Sequence, residues 1–194
     1  TNKLNTNGSN YTCAAGDRVL LHKDNSGIVQ ATIFPTSGQP VISSKIVQIV
    51  EGTPYTTWST TTTAIPNDDT IPQNTEGSEY VTVTITPKSA SNRLVIEACA
   101  SALSVDGVRT VTGAIYQDST ANALAAAQIT ITSVNYMAPL SVRHEMAAGT
   151  TSATTFKFRL GPAAGGTASI NGTTSGRTLG GVNSVRISVT EIAP

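Results

Sequence analysis

The sequence predicts an all-β protein: an antiparallel β-sandwich, jelly-roll-like, with a short N-terminal β-hairpin arm. In Tyr80-Val-Thr-Val-Thr-Ile-Thr86, Val81, Val83 and Ile85 fall on one face and the threonines on the other, the period of two of a half-buried strand. Similar runs recur along the chain at regular spacing with turn residues between them, the pattern of two packed antiparallel sheets. No stretch carries a sustained helical period; the Ala-rich Ser119–Gln128 reads as a loop or a short turn of helix between strands.

Taken in order, residues 1–43 stand apart as an N-terminal arm. A polar Asn/Thr leader, Thr1–Ala15, lacks core-forming residues and is not expected to fold by itself. Arg18–His22 and Ile28–Phe34 then read as strands joined by Lys23-Asp-Asn-Ser-Gly27, residues that tolerate a positive φ, and Pro35-Thr-Ser-Gly-Gln-Pro40 closes the segment. One hairpin is barely stable in water, so the arm is expected to pack against something larger.

Residues 44–194 form the sandwich domain. Strands are expected at Lys45–Glu51, Tyr55–Thr62, Tyr80–Thr86, Asn92–Ala100, Val108–Gln117, Ile129–Val134, Leu140–Met146, Thr154–Leu160 and Ser184–Ile192. Tyr80–Thr86, the polar turn Pro87–Asn92 and Arg93-Leu-Val-Ile96 together read as a hairpin. In two further runs Phe156, Phe158 and Leu160 alternate with Lys157 and Arg159, and Val185, Ile187 and Val189 with Arg186, Ser188 and Thr190. Two long irregular stretches, Ala64–Gly77 and the Gly/Thr/Ser-rich Gly161–Gly181, are of the length that is functional or pinned by a neighbour.

Composition narrows the function. Charged residues make up 12% of the chain, about half the usual share, and 12 basic residues balance 12 acidic ones. The polar surface is therefore Thr, Ser, Asn and Gln, which suits a crowded assembly in which immobilising long charged side chains is unfavourable. No basic stripe and few aromatics point away from nucleic acid, and the sequence has neither a secretory h-region nor an apolar span of membrane length. Asn7, Asn10 and Asn171 open N-x-Ser/Thr triplets that read as chance matches. Cys13 and Cys99 lie far apart outside any metal spacing; Cys99, in the apolar run Ile96–Leu103, reads as a buried small hydrophobe, and no disulfide is expected.

Chemistry is sparse. Ser104 and Asp106 with His144 can be drawn as a triad, but no nucleophile-elbow sequence supports it; His22 is the other histidine. Asp68/Asp69 and Glu76/Glu79 offer the paired acids that glycoside cleavage needs, or oxygens for a subunit contact or Ca²⁺, without the spacing of a calcium loop. The favoured reading is that Asp68 and Asp69 shape their own turn. Gly161–Gly181 lacks a phosphate-loop lysine; its one charge, Arg177, is a contact residue or is solvated. Asp68, Asp69, Glu76 and Arg177 are thus candidate assembly contacts, with no catalytic, cofactor or metal residue assigned.

Four blocks carry a resemblance: Ile65–Glu79, Tyr116–Leu124, His144–Ser152 with Thr154–Gly161, and Gly180-Gly-Val…Ile192. Together they resemble a module found in surface proteins of tailed bacteriophages, over about residues 46–193. The resemblance implies a virion structural β-sandwich, usually a homotrimer assembled in the host cytoplasm, and no catalytic residues carry over. Within it the favoured role is a capsid decoration (cement) or head-fibre protein whose residues 1–43 anchor it to the major capsid protein or another virion protein. The alternative is the receptor-binding tip of a tail fibre, with a host-surface glycan as partner; a glycan-cleaving enzyme is remote.

Overall fold

The protein is described as a computed structural model, which covers residues 46–194 throughout and, before them, the backbone of four strands. The chain divides into two compact units, Thr1–Ser43 and Ser44–Pro194.

The first unit holds β1 (Lys3–Thr6), β2 (Ser9–Thr12), β3 (Arg18–Lys23) and β4 (Val29–Phe34), paired as two antiparallel ribbons. Arg18 faces Phe34 across β3–β4, and Leu4 faces Tyr11 across β1–β2. Within the Asn/Thr leader, not expected to fold by itself, the backbone of Lys3–Thr6 and Ser9–Thr12 pairs as a ribbon. Residues 24–27 of the turn assigned to Lys23–Gly27, the turn Pro35–Pro40, Cys13, and the side chain of His22 lie outside the described residues, while Lys23 ends β3.

In the second unit the strands are β5 (Ile46–Glu51), β6 (Ser59–Thr61), β7 (Ser78–Ile85), β8 (Arg93–Val105), β9 (Arg109–Gln117), β10 (Ala125–Ile131), β11 (Ala138–Ala147), β12 (Thr154–Pro162), β13 (Ala168–Ile170), β14 (Gly172–Thr173), β15 (Gly176–Arg177) and β16 (Val185–Ile192). One sheet runs β10-β9-β12-β7. The other runs β5-β16-β8-β11, and beyond β16 the strand β13 pairs with β8 and β6 with β13. Every pairing is antiparallel, and from β6 to β9 and again from β10 to β13 the chain alternates between the two sheets, as in a jelly roll. β5 and β16 lie side by side, with Ile46 opposite Ile192. Among the described residues the only helical element is a 3-10 turn at Leu179–Gly181, and no helix is long and apolar enough to cross a membrane.

The inner faces follow the alternation. Val81, Val83, Ile85, Val111, Ile115, Phe156, Phe158 and Leu160 from the first sheet meet Leu94, Ile96, Leu103, Val185, Ile187 and Val189 from the second, all essentially excluded from water. Each contributes about 1.5–3 kcal/mol of transfer free energy, which is where the stability of the domain resides.

Several expectations are corrected. Residues 80–96 are not a hairpin: β7 and β8 belong to different sheets, so Pro87–Asn92 arches between them. Period two shows that two runs are strands, not that they pair. The arch is held by Glu191, a fully buried residue of β16. Its Oε1 accepts from the N–H of Lys88 (2.7 Å) and of Ser89 (3.3 Å) and from Asn92 Nδ2 (2.6 Å), and its Oε2 accepts from Gln48 Nε2 (2.6 Å). Desolvation pushes this carboxyl upward, but these hydrogen bonds outweigh it and leave it below the ordinary value.

Tyr80 does not stand with the outward threonines. The β7–β12 register slips beside it, and the ring turns to pack edge-on against Tyr55, centroids 5.2 Å apart. Cys99 is not core: Leu94, Ile96, Ala98 and Ala100 take the inward positions of β8, leaving Cys99 half-buried on the outer face with Glu97 and Ser101. A bulge near Ser101–Ala102 then switches the parity, so that Leu103 and Val105 point inward. The Ala-rich segment forms a turn and then β10, which begins at Ala125, four residues before the expected strand Ile129–Val134, and ends at Ile131; small side chains suit an edge strand lying close to β11. Asn171 is buried, its amide donating to the carbonyls of Tyr55 and Thr57 (2.9 and 3.1 Å), which agrees with reading its triplet as chance.

Candidate functional site

Residues 64–77 form a strap over the outer face of the four-stranded sheet. Ala114 and Tyr116 alternate with inward Val111 and Ile115 on β9 and would face water; Ile65 covers them and is itself fully buried. The base of the strap is closed by Gly77 N–H to Ala64 O and Ile65 N–H to Pro162 O, both 2.9 Å. The Arg159 guanidinium on β12 donates to the carbonyls of Glu76 and Gly77, each at 2.7 Å. At the far end Asn74 N–H donates to Ala121 O (2.7 Å) and Ala123 N–H to Pro72 O (2.9 Å). Gly161 lies so close beneath that a Cβ there would strike the Thr63 carbonyl.

The acids of the strap serve this architecture. Asp68 Oδ1 accepts from the Thr70 hydroxyl (2.5 Å) and N–H (2.9 Å), an Asx turn; the hydroxyl first, then the N–H, hold its pKa below the usual carboxylate value. Asp69 is exposed beside it. Glu76 Oε2 accepts from Gln73 N–H (2.9 Å). Glu79, just beyond, reaches Arg159 (3.5 Å) and Lys157 (4.0 Å) across strands. Arg177 lies elsewhere, exposed on β15 in a ribbon that touches β8. The four candidate contacts are therefore three residues of one strap and a fourth on a separate two-stranded ribbon, β14–β15. Among the described residues no three His, Cys, Asp or Glu side chains converge as metal ligands.

Under the strap the Tyr116 hydroxyl and the Thr112 hydroxyl are buried without a hydrogen-bond partner. Desolvation, helped by the nearby Glu76 charge and opposed by Arg159, pushes Tyr116 up to about 12. The triad is not assembled. His144 pairs opposite Ile96, eight residues along β8 from Ser104, roughly 26 Å at strand rise. Asp106 instead accepts from Arg109 Nε (2.5 Å) and Thr167 N–H (3.1 Å).

Two further surfaces were not singled out in the sequence. At the end of the sandwich where β10 passes to β11, Val134, Tyr136 and Met137 are exposed, and so are Leu179 and Val182 on the loop before β16. The two loops are tied together: Asn135 Oδ1 accepts from the Thr174 hydroxyl at 2.6 Å, and the Thr178 hydroxyl donates to Met137 Sδ at 3.5 Å. Leu179 holds φ +48, a strained conformation for a branched side chain.

The second surface is a recess of about 460 Å³ on the outer face of the β5-β16-β8-β11 sheet. Glu51, Ser188, Glu97 and Arg143 lie opposite one another in a row across the four strands; the next row is Arg186, Cys99 and Ser141. Arg143 pairs with Glu97 (3.5 Å) and with Glu145 (2.5 Å), and Arg186 Nε donates to Ser184 Oγ (2.8 Å). The alternation of each strand marks these side chains as outward; only the register brings them together.

In sequence, no family model and no curated protein matches the chain. Among solved structures it is similar to an Eiger TNF from S. frugiperda (TM-score 0.41, 11% identity, 77% of this chain and 94% of that one). A CBM4 structure matches with TM-score 0.31 and 16% identity over 60% of this chain and 68% of that one. The enzymatically active domain of tailspike protein 4 of bacteriophage CBA120 matches with TM-score 0.25 and 18% identity over 67% of this chain and 19% of that one. Similarities this distant carry no argument about function.

Proposed function

We propose that the protein is a non-enzymatic structural protein of a bacteriophage particle surface, a head-decoration protein attached through residues 1–43 and displaying its sandwich as a homotrimer. One observation carries the reading. Three of the four segments that resemble phage surface proteins, far apart in sequence, meet in one place: the strap (65–79), the β9–β10 turn (116–124) that its far end grips, and β12, whose Arg159 and Gly161 hold its base. That much of the resemblance falls on a single physical device supports reading it as a module's. The division of the chain into two units, the larger with its own core, supports a separate attachment segment.

The receptor-binding tip of a tail fibre is the second reading, favoured by the apolar loop tips around Tyr136 and Leu179, since exposed apolar clusters mark contact surfaces. Immunogold imaging of particles separates the two: label over heads supports the first, label at tail ends the second, and no particle label removes both. A chain starting at Ser44 should stay soluble and β-rich yet fail to join the particle; if it joins as well as the full chain, residues 1–43 are not the anchor.

A further inference from the structure

We propose that the recess on the outer face of the β5-β16-β8-β11 sheet binds an uncharged glycan unit through a pair of neighbouring hydroxyls. The inference is independent of where the protein sits on a particle.

The recess has a structural cause. β5 ends at Glu51 and the chain regains the sheet only at Tyr55, which bridges Val185. Gly52 still donates its N–H to Ile187 O at 2.9 Å, so Thr53 and Pro54 are the residues that step out of the edge, and Gly52 and Pro54 line one side of the recess. Its volume of about 460 Å³ falls within the roughly 300–1,000 Å³ of small-ligand sites.

The lining selects the ligand. Two carboxylates, Glu51 and Glu97, and two guanidiniums, Arg143 and Arg186, surround the half-buried Cys99 and Ser188, so the recess has no net charge with which to favour an anion or a cation. Carboxylates only accept hydrogen bonds, and guanidiniums only donate them. An anion drawn to Arg143 would meet Glu97 and Glu145 already beside it, and a cation drawn to Glu97 would meet Arg143, so neither sign of charge is favoured. A hydroxyl both donates and accepts. Two hydroxyls on adjacent carbons, one donating to Glu97 and one accepting from Arg143 or Arg186, satisfy both signs and leave the ion pair in place. No aromatic ring lines the recess to stack on a sugar, so the single-site affinity should be weak, near about 1 mM.

The test uses the full-length protein carrying Cys13→Ser, in which Cys99 is the sole thiol on the floor of the recess. The rate of its alkylation by N-ethylmaleimide is followed with maltose, cellobiose or lactose at about 50 mM, well above the expected Kd, and with sodium phosphate or glycine as charged probes. At least one disaccharide should slow alkylation several-fold while phosphate and glycine do not. Glu97→Gln and Arg186→Met, both exposed-face changes checked for folding by circular dichroism, should each abolish that protection. If no disaccharide protects, if phosphate or glycine protects equally, or if both variants keep the protection, the proposal is overturned.

Discussion

Asn92 donates its side-chain amide to Glu191 across 2.6 Å, joining the arch that leaves one sheet to the last strand of the other. That buried carboxylate also accepts from two backbone N–H groups of the arch, a task water performs at most turns. Glu191→Ala removes the acceptor of three donors on the arch and should lower stability by about 3 kcal/mol, measured by urea denaturation.

The same group fixes a pH dependence. Its folded pKa lies below the ordinary carboxyl value of 4.5, so its contribution is fully present above that value and is lost as pH falls through the lower, folded one. Thermal midpoints should therefore decline on acidification below about pH 4.5, and the decline should be shallower in Glu191→Gln. Parallel slopes for the two proteins would contradict the assignment.

Ile65 anchors the strap on Ala114 and Tyr116, and truncating it opens a cavity beneath a segment that has few other apolar contacts. Ile65→Ala should cost about 3 kcal/mol and make residues 66–74 the first site of limited proteolysis. Tyr116→Phe should do the opposite, neutral or stabilising by up to about 1 kcal/mol, because it removes a buried hydroxyl that has no partner.

Tyr55 and Tyr80 close the open side of the sandwich with rings at 71° to each other. A double-mutant cycle with Tyr55→Leu and Tyr80→Leu should return a coupling of about 1 kcal/mol. Additive losses would show that the rings act only through burial.

Cys99 is free and faces outward on β8. Unfolding the protein without reductant should expose two titratable thiols, Cys99 and Cys13, as a protein assembled in a reducing cytoplasm would have. Finding none would mean that the two are joined.

The strands were legible because alternation is a local property: Val81/Val83/Ile85 and Phe156/Phe158/Leu160 show their inner faces without any knowledge of partners. Pairing is not local, which is why β7 and β8 look like a hairpin and are not one. β13 to β15 were invisible, since runs of two or three residues rich in Gly, Ser and Thr have no period to detect. Cys99 was misplaced because a continuous apolar run hides parity. Glu191 was overlooked although a signal existed: it shares the parity of Val185, Ile187 and Val189, and a charged residue in an inward position asks for buried partners. Asp68 was readable as a turn former from its neighbours alone. The recess was not readable, because its four charges come from four strands and meet only through registers that no single segment encodes.

With Ile46 and Ile192 facing each other across β5 and β16, the sandwich is entered and left at one place, about 5 Å apart. A fold with that property is a cassette. It can be spliced into a surface loop of an unrelated chain, or have its ends joined by a short linker and be reopened at the 132–137 loop, without breaking one sheet pairing. Joined to another chain at both ends, it would have both ties emerge together, with the loops around Tyr136 and Leu179 at the opposite end of the strands.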